Sequence, residues 1–343
     1  MKKILVFLLS AMLFLFASCG DDREVLRVYN WGDYIAPGVI DRFEEETGIR
    51  VIYEMFETNE DMYTKIKNSN SSYDVIIPSD YMIERMIDED MLAEIDFANI
   101  TNYDEIDEAY KDLSFDPENK YSVPYTWGTV GILYNKTMVD GPIDSWESLW
   151  DPKYEQNIIM MNSQRDAIGM ALKSLGYSLN ELDPKALEAA KNKLLDQTPL
   201  VLTWVVDEVK DKMIGGEAAL ALVYAGDAVY CKGFNEDLEY VIPKEGSNIF
   251  FDSMCIPKNC RNKLAAEKFI DFMCSPEIAA ENAEYIGYSS PSSSARALMG
   301  EAGQDPTAYP DTSKYNLEIF SSLGDKTKIY DELWTEIKTS IGS

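Results

Sequence analysis

The stretch Val28-Tyr29-Asn30-Trp31-Gly32-Asp33-Tyr34 predicts the fold of the chain around it. Its first two residues continue an apolar-alternating run from Val25, which predicts a β-strand, and its last four residues fall in the turn that follows. Pro37 then opens a predicted helix that ends at Gly48. The stretch therefore joins a strand to a helix, as in the repeating unit of an α/β protein.

This turn carries two large aromatic side chains and one carboxylate. Because Asp33 cannot be buried without a partner, the turn is poorly suited to a hydrophobic core. It is well suited to a cation site, because ammonium groups bind carboxylates and aromatic faces attract cations. The residues leave one alternative open, in which Trp31 packs beneath the helix and Asp33 caps it.

Strands and helices alternate along the rest of the chain, which predicts a mainly parallel sheet with ligands at the carboxyl ends of its strands. The less regular stretch 121–128 and the stretch 249–256 are interpreted as two crossings between two lobes. Strand ends, crossings and one further turn deliver a set of aromatic, carboxylate and hydroxyl side chains: Trp31, Asp33, Tyr34, Ser79, Asp80, Tyr81, Asp166, Tyr224, Asp227, Phe250, Asp252 and Tyr288. Core packing of Tyr224 and Phe250, and helix capping by Asp80 or Asp227, are the alternatives.

The N-terminus has the pattern of a secretory signal peptide. Met1-Lys2-Lys3 precedes an apolar run that is too short to span a membrane, and small residues follow it. Cys19, directly after Ala17-Ser18, resembles the lipidated cysteine of a bacterial lipoprotein. This pattern predicts a signal peptide over residues 1–18 and a lipidated tether over 19–22, on the outer face of the cytoplasmic membrane. The alternative is an ordinary secreted protein with an unpaired cysteine.

Composition excludes several function classes. The chain has 60 acidic and 31 basic residues, so nucleic acid and anionic lipid are not expected partners, whereas cationic ligands can be steered to the surface. It has no histidine, which excludes serine-histidine triads and most zinc or iron sites. The later cysteines, Cys231, Cys255, Cys260 and Cys274, form no C-x-x-C pair. A Cys255–Cys260 disulfide and buried free thiols both remain open.

Several separate blocks of the sequence carry a recognisable pattern. These blocks are Tyr29-Asn30-Trp31-x-Asp33-Tyr34, Phe43 through Thr47-Gly48-Ile49, Tyr73-Asp74-Val75-Ile76-Ile77-Pro78-Ser79, Gly176-Tyr177-Ser178, Pro243-Lys244-Glu245-Gly246 and Ile286-Gly287-Tyr288. Together they resemble the spermidine/putrescine-binding lipoproteins of bacterial polyamine ABC importers. The resemblance implies an α/β, two-lobed periplasmic-binding-protein fold (type II-like) with two crossover strands and a ligand cleft between the lobes. One lobe would comprise residues 23–128 and 252–296, and the other residues 129–251 and 297–343. It further implies a monomeric, non-enzymatic protein that needs no cofactor and delivers its ligand to a membrane permease.

The resemblance also assigns roles to residues. The aromatic side chains that sandwich the ligand would be Trp31, Tyr34, Tyr81, Tyr224, Phe250 and Tyr288. The acids that bind ammonium groups would be Asp33, Asp166, Asp227 and Asp252, with Ser79 beside them. Members usually carry Trp at positions 224 and 250, Glu at 166 and a hydroxyl residue at 32, and spermidine-preferring members carry an Asp near Ser163. The run Tyr224-Ala225-Gly226-Asp227 is similar to that of putrescine-preferring members, which predicts a preference for putrescine.

The physical requirements agree with this interpretation. A polyamine is a flexible methylene chain with a charge at each end, so its burial requires acids at both ends of a cleft and apolar faces between them. A protein of the same fold that binds thiamine or ferric iron is one alternative, although the missing histidine counts against iron. An acid-base hydrolase using two aspartates is another, but the sequence has no nucleophile elbow, phosphate loop or metal motif. A sensor or adhesin built on the same fold is the last.

Overall fold

The computed structural model describes residues 23–68 and 72–341, so the predicted signal peptide, Cys19 and the tether lie outside the described residues. Its first two strands, β1 (Val25–Trp31) and β2 (Arg50–Phe56), are parallel and paired along their whole length. The predicted strand at the start of the chain is therefore confirmed, and it extends to Trp31.

The helix between these strands, α1 (Val39–Thr47), begins two residues later than predicted. Gly48 ends it as predicted, in a left-handed conformation with φ of 70°, and its N–H donates to the carbonyl of Glu44. Glycine adopts this conformation without the steric cost that a Cβ would add, so the helix end is encoded locally.

A third parallel strand completes the first group. β3 (Val75–Ile76) pairs with β1 and lies between α2 (Asn59–Asn68) and α3 (Asp80–Asp88). Because β1, β2 and β3 run in the same direction, the residues that follow β1 and β3 meet at one edge of the sheet.

Two long strands form the middle of the sheet. β4 (Ser122–Asn135) and β9 (Ser247–Cys255) are antiparallel, and their register shifts between Pro124 and Thr126. The stretch 121–128 was predicted to be irregular, whereas most of it belongs to one 14-residue strand. Pro124 is accommodated because it lies at this bulge, where a missing N–H costs no regular ladder bond.

A second parallel group lies beyond these strands, with β5 parallel to both β6 and β7. Its strands are β5 (Ile158–Met161), β6 (Val201–Val205), β7 (Leu220–Tyr224) and β8 (Leu238–Val241), the last of which is antiparallel to β4. Its helices are α4 (Gln164–Ser174), α5 (Pro184–Gln197), α6 (Val209–Ile214) and α7 (Ala225–Phe234). The main interpretation of the sequence did not include α7. The alternative in which Asp227 caps a helix is wrong, because Tyr224 occupies the N-cap position and Asp227 lies in the first turn.

The strand order is β2-β1-β3-β9-β4-β7-β5-β6, with β8 on β4 and β10 (Leu317–Glu318) on β9. The predicted parallel sheet is therefore correct for the two flanking groups and wrong for the middle, where β9 and β4 run antiparallel. The remaining helices are α8 (Lys263–Cys274), α9 (Pro276–Ile286), α10 (Ser293–Leu298) and α11 (Thr327–Ile341). None of the helices in the described part of the chain is long and apolar enough to cross a membrane.

Separate apolar clusters pack around the two flanking groups. One cluster packs Tyr29, Met62 and Met86 around β3, and another packs Leu133, Val209 and Met213 around β7, beside one larger cluster shared across the molecule. The burial of such side chains contributes about 1.5–3 kcal/mol each. The strand ends therefore extend from well-packed apolar clusters.

The four described cysteines are free thiols: Cys231, Cys255, Cys260 and Cys274. The Cys260 thiol donates to Asp74 Oδ1 at 3.3 Å, so it faces a carboxylate rather than Cys255. Of the two alternatives that the sequence left open, the structure supports the free thiols over the disulfide.

Candidate functional site

A cavity of about 650 Å³ lies where the strand ends of both groups meet. All twelve residues singled out in the sequence line it, as do neighbours that the sequence did not single out. The structure thus brings these side chains together around one cavity, as the convergence of strand ends in an α/β sheet predicts. Their role in ligand binding stays a prediction.

The last residue of β1 and the turn after it line one side of the cavity. The Trp31 indole donates to the carbonyl of Ile77 at 2.8 Å, and its ring centroid lies 4.5 Å from that of Phe56. Asp33 adopts a positive φ of 50°, and its side chain is 77% exposed. The alternative in which Asp33 caps the helix is wrong, because α1 has Gly38 at its N-cap.

Asp252, on β9, is a buried acid of the cavity that two hydroxyl groups support. Its Oδ2 accepts a hydrogen bond from the Tyr34 hydroxyl at 2.5 Å, and its Oδ1 accepts one from the Ser79 hydroxyl at 2.6 Å. Burial raises the pKa of Asp252 to about 6, although the two hydroxyl donors work against this rise. A buried carboxylate with only neutral donors remains short of a positive partner.

Asp80 is different, because backbone groups occupy both of its oxygens. Its Oδ1 accepts from the N–H of Tyr81 at 2.7 Å, and its Oδ2 accepts from the N–H of Phe251 at 3.1 Å. The side chain is fully buried. Asp80 therefore joins the first turn of α3 to β9. The alternative in which Asp80 caps the helix is wrong, because Ser79 occupies the N-cap position.

Asp166, in the first turn of α4, repeats the arrangement seen at Asp252. Its Oδ2 accepts hydrogen bonds from the Ser163 hydroxyl at 2.5 Å and from the Tyr224 hydroxyl at 2.8 Å. Burial raises the pKa of Asp166 above its usual range. Two buried carboxylates, delivered by different strand groups, thus share the same type of hydroxyl support.

Three rings form a cage between these acids. The centroid of Phe250 lies 5.3 Å from that of Tyr224 and 5.7 Å from that of Tyr288, both in edge-to-face geometry. Phe250 is only 7% exposed and belongs to the core, yet it also lines the cavity. Gly226 permits this packing, because a Cβ there would lie 2.1 Å from the ring carbons of Tyr288.

A third group of acids is accompanied by a basic residue. Lys210, on α6, lies 3.7 Å from Asp33, measured from Nζ to Oδ2. Burial raises the pKa of Asp227 to about 7; the charge of Lys210 opposes this rise and the charge of Asp207 adds to it. This end of the cavity is therefore partly charge-balanced by the protein itself.

Sequence reasoning missed several lining residues. Asp207 follows β6 by two positions, so the same strand-end rule could have found it, whereas Glu60 lies in the first turn of α2 and carries no such signal. Glu60 Oε1 accepts from the Tyr81 hydroxyl at 3.1 Å, and burial raises its pKa. The residues from the end of the chain, which only the tertiary structure brings to the cavity, are Phe320, Asp331, Trp334 and Thr335.

The cavity is strongly acidic. Ten Asp and Glu residues line it, against two basic residues, Arg165 and Lys210. Among residues 23–68 and 72–341, no group of three or more acidic, cysteine or histidine side chains is arranged to hold a metal ion. The separated acids and the rings between them can instead accommodate an elongated cation with more than one charge.

The chain matches the family described as bacterial extracellular solute-binding protein over residues 38–332. It is 38% identical to the spermidine/putrescine-binding periplasmic protein of Salmonella typhimurium, over 94% of each chain. A solved structure from Listeria monocytogenes has 45% identity and a TM-score of 0.89, covering 92% of this chain and 99% of that one. The spermidine/putrescine ABC transporter substrate-binding protein of Streptococcus pneumoniae has 44% identity and a TM-score of 0.80, covering 93% and 99%.

These similarities confirm the α/β solute-binding fold that the sequence blocks implied. The matching family is one of solute-binding proteins and not an enzyme family. The protein therefore belongs to the bacterial extracellular solute-binding proteins.

Proposed function

We propose that this protein binds a polyamine, putrescine or spermidine, and delivers it to an ABC permease. The observation that carries the proposal is the pair Asp166 and Asp252. Each is a buried carboxylate supported by two hydroxyl groups and facing an aromatic cavity. Such a carboxylate is costly to keep charged without a cation, and an ammonium group from the ligand would remove that cost.

The shape of a polyamine explains the rest of the lining. Its methylenes would lie against Tyr224, Phe250 and Tyr288, and each well-placed ring contact with an ammonium contributes about 0.5–2 kcal/mol. Micromolar affinity requires only about −8 kcal/mol in net, so a few such contacts suffice after the ligand is ordered. Relatives named for spermidine and putrescine support this choice of ligand.

In this proposal, ligand binding brings the two lobes of the protein together. Residues 23–128 and 252–296 form one lobe, residues 129–251 and 297–343 form the other, and β4 and β9 form the connection that bends. Closure would bring Asp33 and Asp252 toward Asp166 and Asp227, and the permease would recognise the closed state.

Two finer assignments belong to the same proposal. Putrescine binds more tightly than spermidine, because Ser163 stands near the position where an additional acid would bind a further ammonium group, and because Asp227 follows the Tyr-Ala-Gly run.

The mature protein is a monomer that is anchored by lipid on Cys19. Radioactive palmitate should label the wild-type protein and not the Cys19→Ser variant, and labelling of both would contradict the anchor.

Calorimetric titration tests the function directly. Putrescine, spermidine, thiamine and ferric iron would each be titrated into the mature protein. Putrescine and spermidine should bind at micromolar concentrations or below, and competition should favour putrescine. Tighter binding of thiamine or iron, or chemical turnover of any ligand, would overturn the proposal, while a preference for spermidine would overturn only the finer assignment.

A further inference from the structure

The two basic residues of the cavity are held in different ways. The guanidinium of Arg165 donates to the carbonyl of Ser321 at 3.1 Å and to Asn180 Oδ1 at 3.0 Å. It also lies 4.4 Å from the ring centroid of Phe320 and 4.9 Å from that of Tyr81. Directional hydrogen bonds and ring contacts together fix this cation in place.

Lys210 has a looser environment. Its Nζ lies 3.7 Å from Asp33 Oδ2, which is beyond ordinary hydrogen-bond length, and 5.8 Å from the ring centroid of Tyr230. Burial alone would lower the pKa of Lys210, but the charges of Asp227, Asp207 and Asp33 outweigh burial and raise it. The ammonium group is thus positioned mainly by the field of three carboxylates.

The ammonium group of Lys210 lies beside the acids where an ammonium group of a bound ligand would lie. A lysine side chain is four methylenes with a terminal ammonium, which is the chain of putrescine with one of its two ammonium groups. Its stem starts on α6, and its ammonium lies beside Asp33, which follows β1, so it also joins the two strand groups. The side chain is 20% exposed and lines the cavity.

We propose that Lys210 is a tethered ammonium that occupies the Asp33–Asp227 end of the cavity and thereby selects ligands with two charges over ligands with three. This inference rests on the proposed polyamine function and explains its preference for putrescine. With Lys210 in place, the carboxylates at this end already have one positive partner. A third ligand ammonium would have to displace Lys210 or remain underpaired, and both are unfavourable.

The test compares two lysines of the same helix. Lys210→Met removes the ammonium but keeps an unbranched apolar stem. Lys212→Met is the matched control, because Lys212 pairs with Glu217 at 3.0 Å and does not line the cavity. Putrescine and spermidine would be titrated into both variants and the wild type by calorimetry at one salt concentration, with thermal melting to verify folding.

We expect Lys210→Met to raise the spermidine-to-putrescine affinity ratio at least about fivefold, equivalent to ~1 kcal/mol, and Lys212→Met to leave it unchanged. Lys210→Arg, which keeps the charge, should retain the wild-type ratio, and Lys210→Gln should reproduce the methionine variant if that variant is unstable. An unchanged ratio in Lys210→Met and Lys210→Gln, or an equal rise in Lys212→Met, would overturn the role of Lys210. Failure of the wild type to bind either amine would instead overturn the proposed function.

Discussion

The charge of a carboxylate is compensated differently at the two ends of the cavity, one around Asp252 and the other around Asp227. At one end, Asp252 receives only neutral hydroxyl groups, from Tyr34 and Ser79. At the other end, Asp227 lies in the field of Lys210 as well as that of Asp207. Hydroxyl groups orient a carboxylate without offsetting its charge, whereas a nearby ammonium group offsets part of it. The first end is therefore prepared for an external cation, and the second already has an internal one.

This difference implies that one end of the cavity determines affinity and the other determines selectivity. The Asp252 end should supply most of the affinity, because its carboxylate has no positive side chain to give up when a ligand arrives. The Asp227 end should influence which ligand is accepted, since binding there competes with Lys210.

Replacement of the acid at the first end should have the largest effect. Asp252→Asn should weaken polyamine binding at least tenfold, about 1.4 kcal/mol or more, because the ligand ammonium loses its charged partner. Calorimetric titration with putrescine measures this. Asp144→Asn is the control, since Asp144 is an exposed partner of Lys244 and does not line the cavity. Wild-type affinity in Asp252→Asn would remove this residue from the site.

Acidification should weaken binding by affecting both ends in turn. The pKa values of Asp227 and Asp252 are raised to about 7 and about 6, so both lose negative charge as the pH falls. Because an ammonium ligand prefers the charged carboxylates, its affinity should decrease about tenfold between about pH 8 and pH 5.5. For the same reason, ligand binding near pH 6.5 should release protons from these carboxyl groups. Titrations in buffers of different ionisation enthalpy measure both quantities.

A variant makes this pH test specific to one end. Asp227→Asn should remove the part of the pH dependence centred near 7 and leave the part centred near 6, since Asp252 is unchanged. Affinity that is constant over the whole range in the wild-type protein would contradict the assignment of both acids.

The smallest expected effect concerns the ring between the two ends. Gly226→Ala places a Cβ 2.1 Å from the Tyr288 ring, so the ring must shift, at a cost of about 1–3 kcal/mol in overpacking. We expect a lower melting temperature and polyamine binding weakened about fivefold.

The same helix offers a control for this substitution. Gly233 also lies in α7, but a Cβ there would meet no atom within 4 Å. Gly233→Ala should therefore raise helix stability by about 0.5–1 kcal/mol and leave binding unchanged. Equal melting temperatures and affinities in the two variants would show that the contact between Gly226 and Tyr288 is unimportant.

Local sequence signals predicted much of the fold. The alternation before Trp31 and the glycine at position 48 were sufficient to predict the strand and the end of α1, because strand period and helix termination depend on neighbouring residues. The antiparallel middle of the sheet could not be predicted in this way. The direction in which β4 and β9 pair is decided by chain topology, and no residue within either strand encodes it.

The sequence by itself determined that aromatic and acidic side chains stand at successive strand ends, and that the chain has many more acids than bases. Only the tertiary structure decided how each acid is balanced. Asp80 is occupied by backbone N–H groups, Asp252 by hydroxyl groups and Asp227 by the field of Lys210. The physical reason is that the charge state of a buried carboxylate depends on its neighbours in space, and these come from segments far apart in the chain.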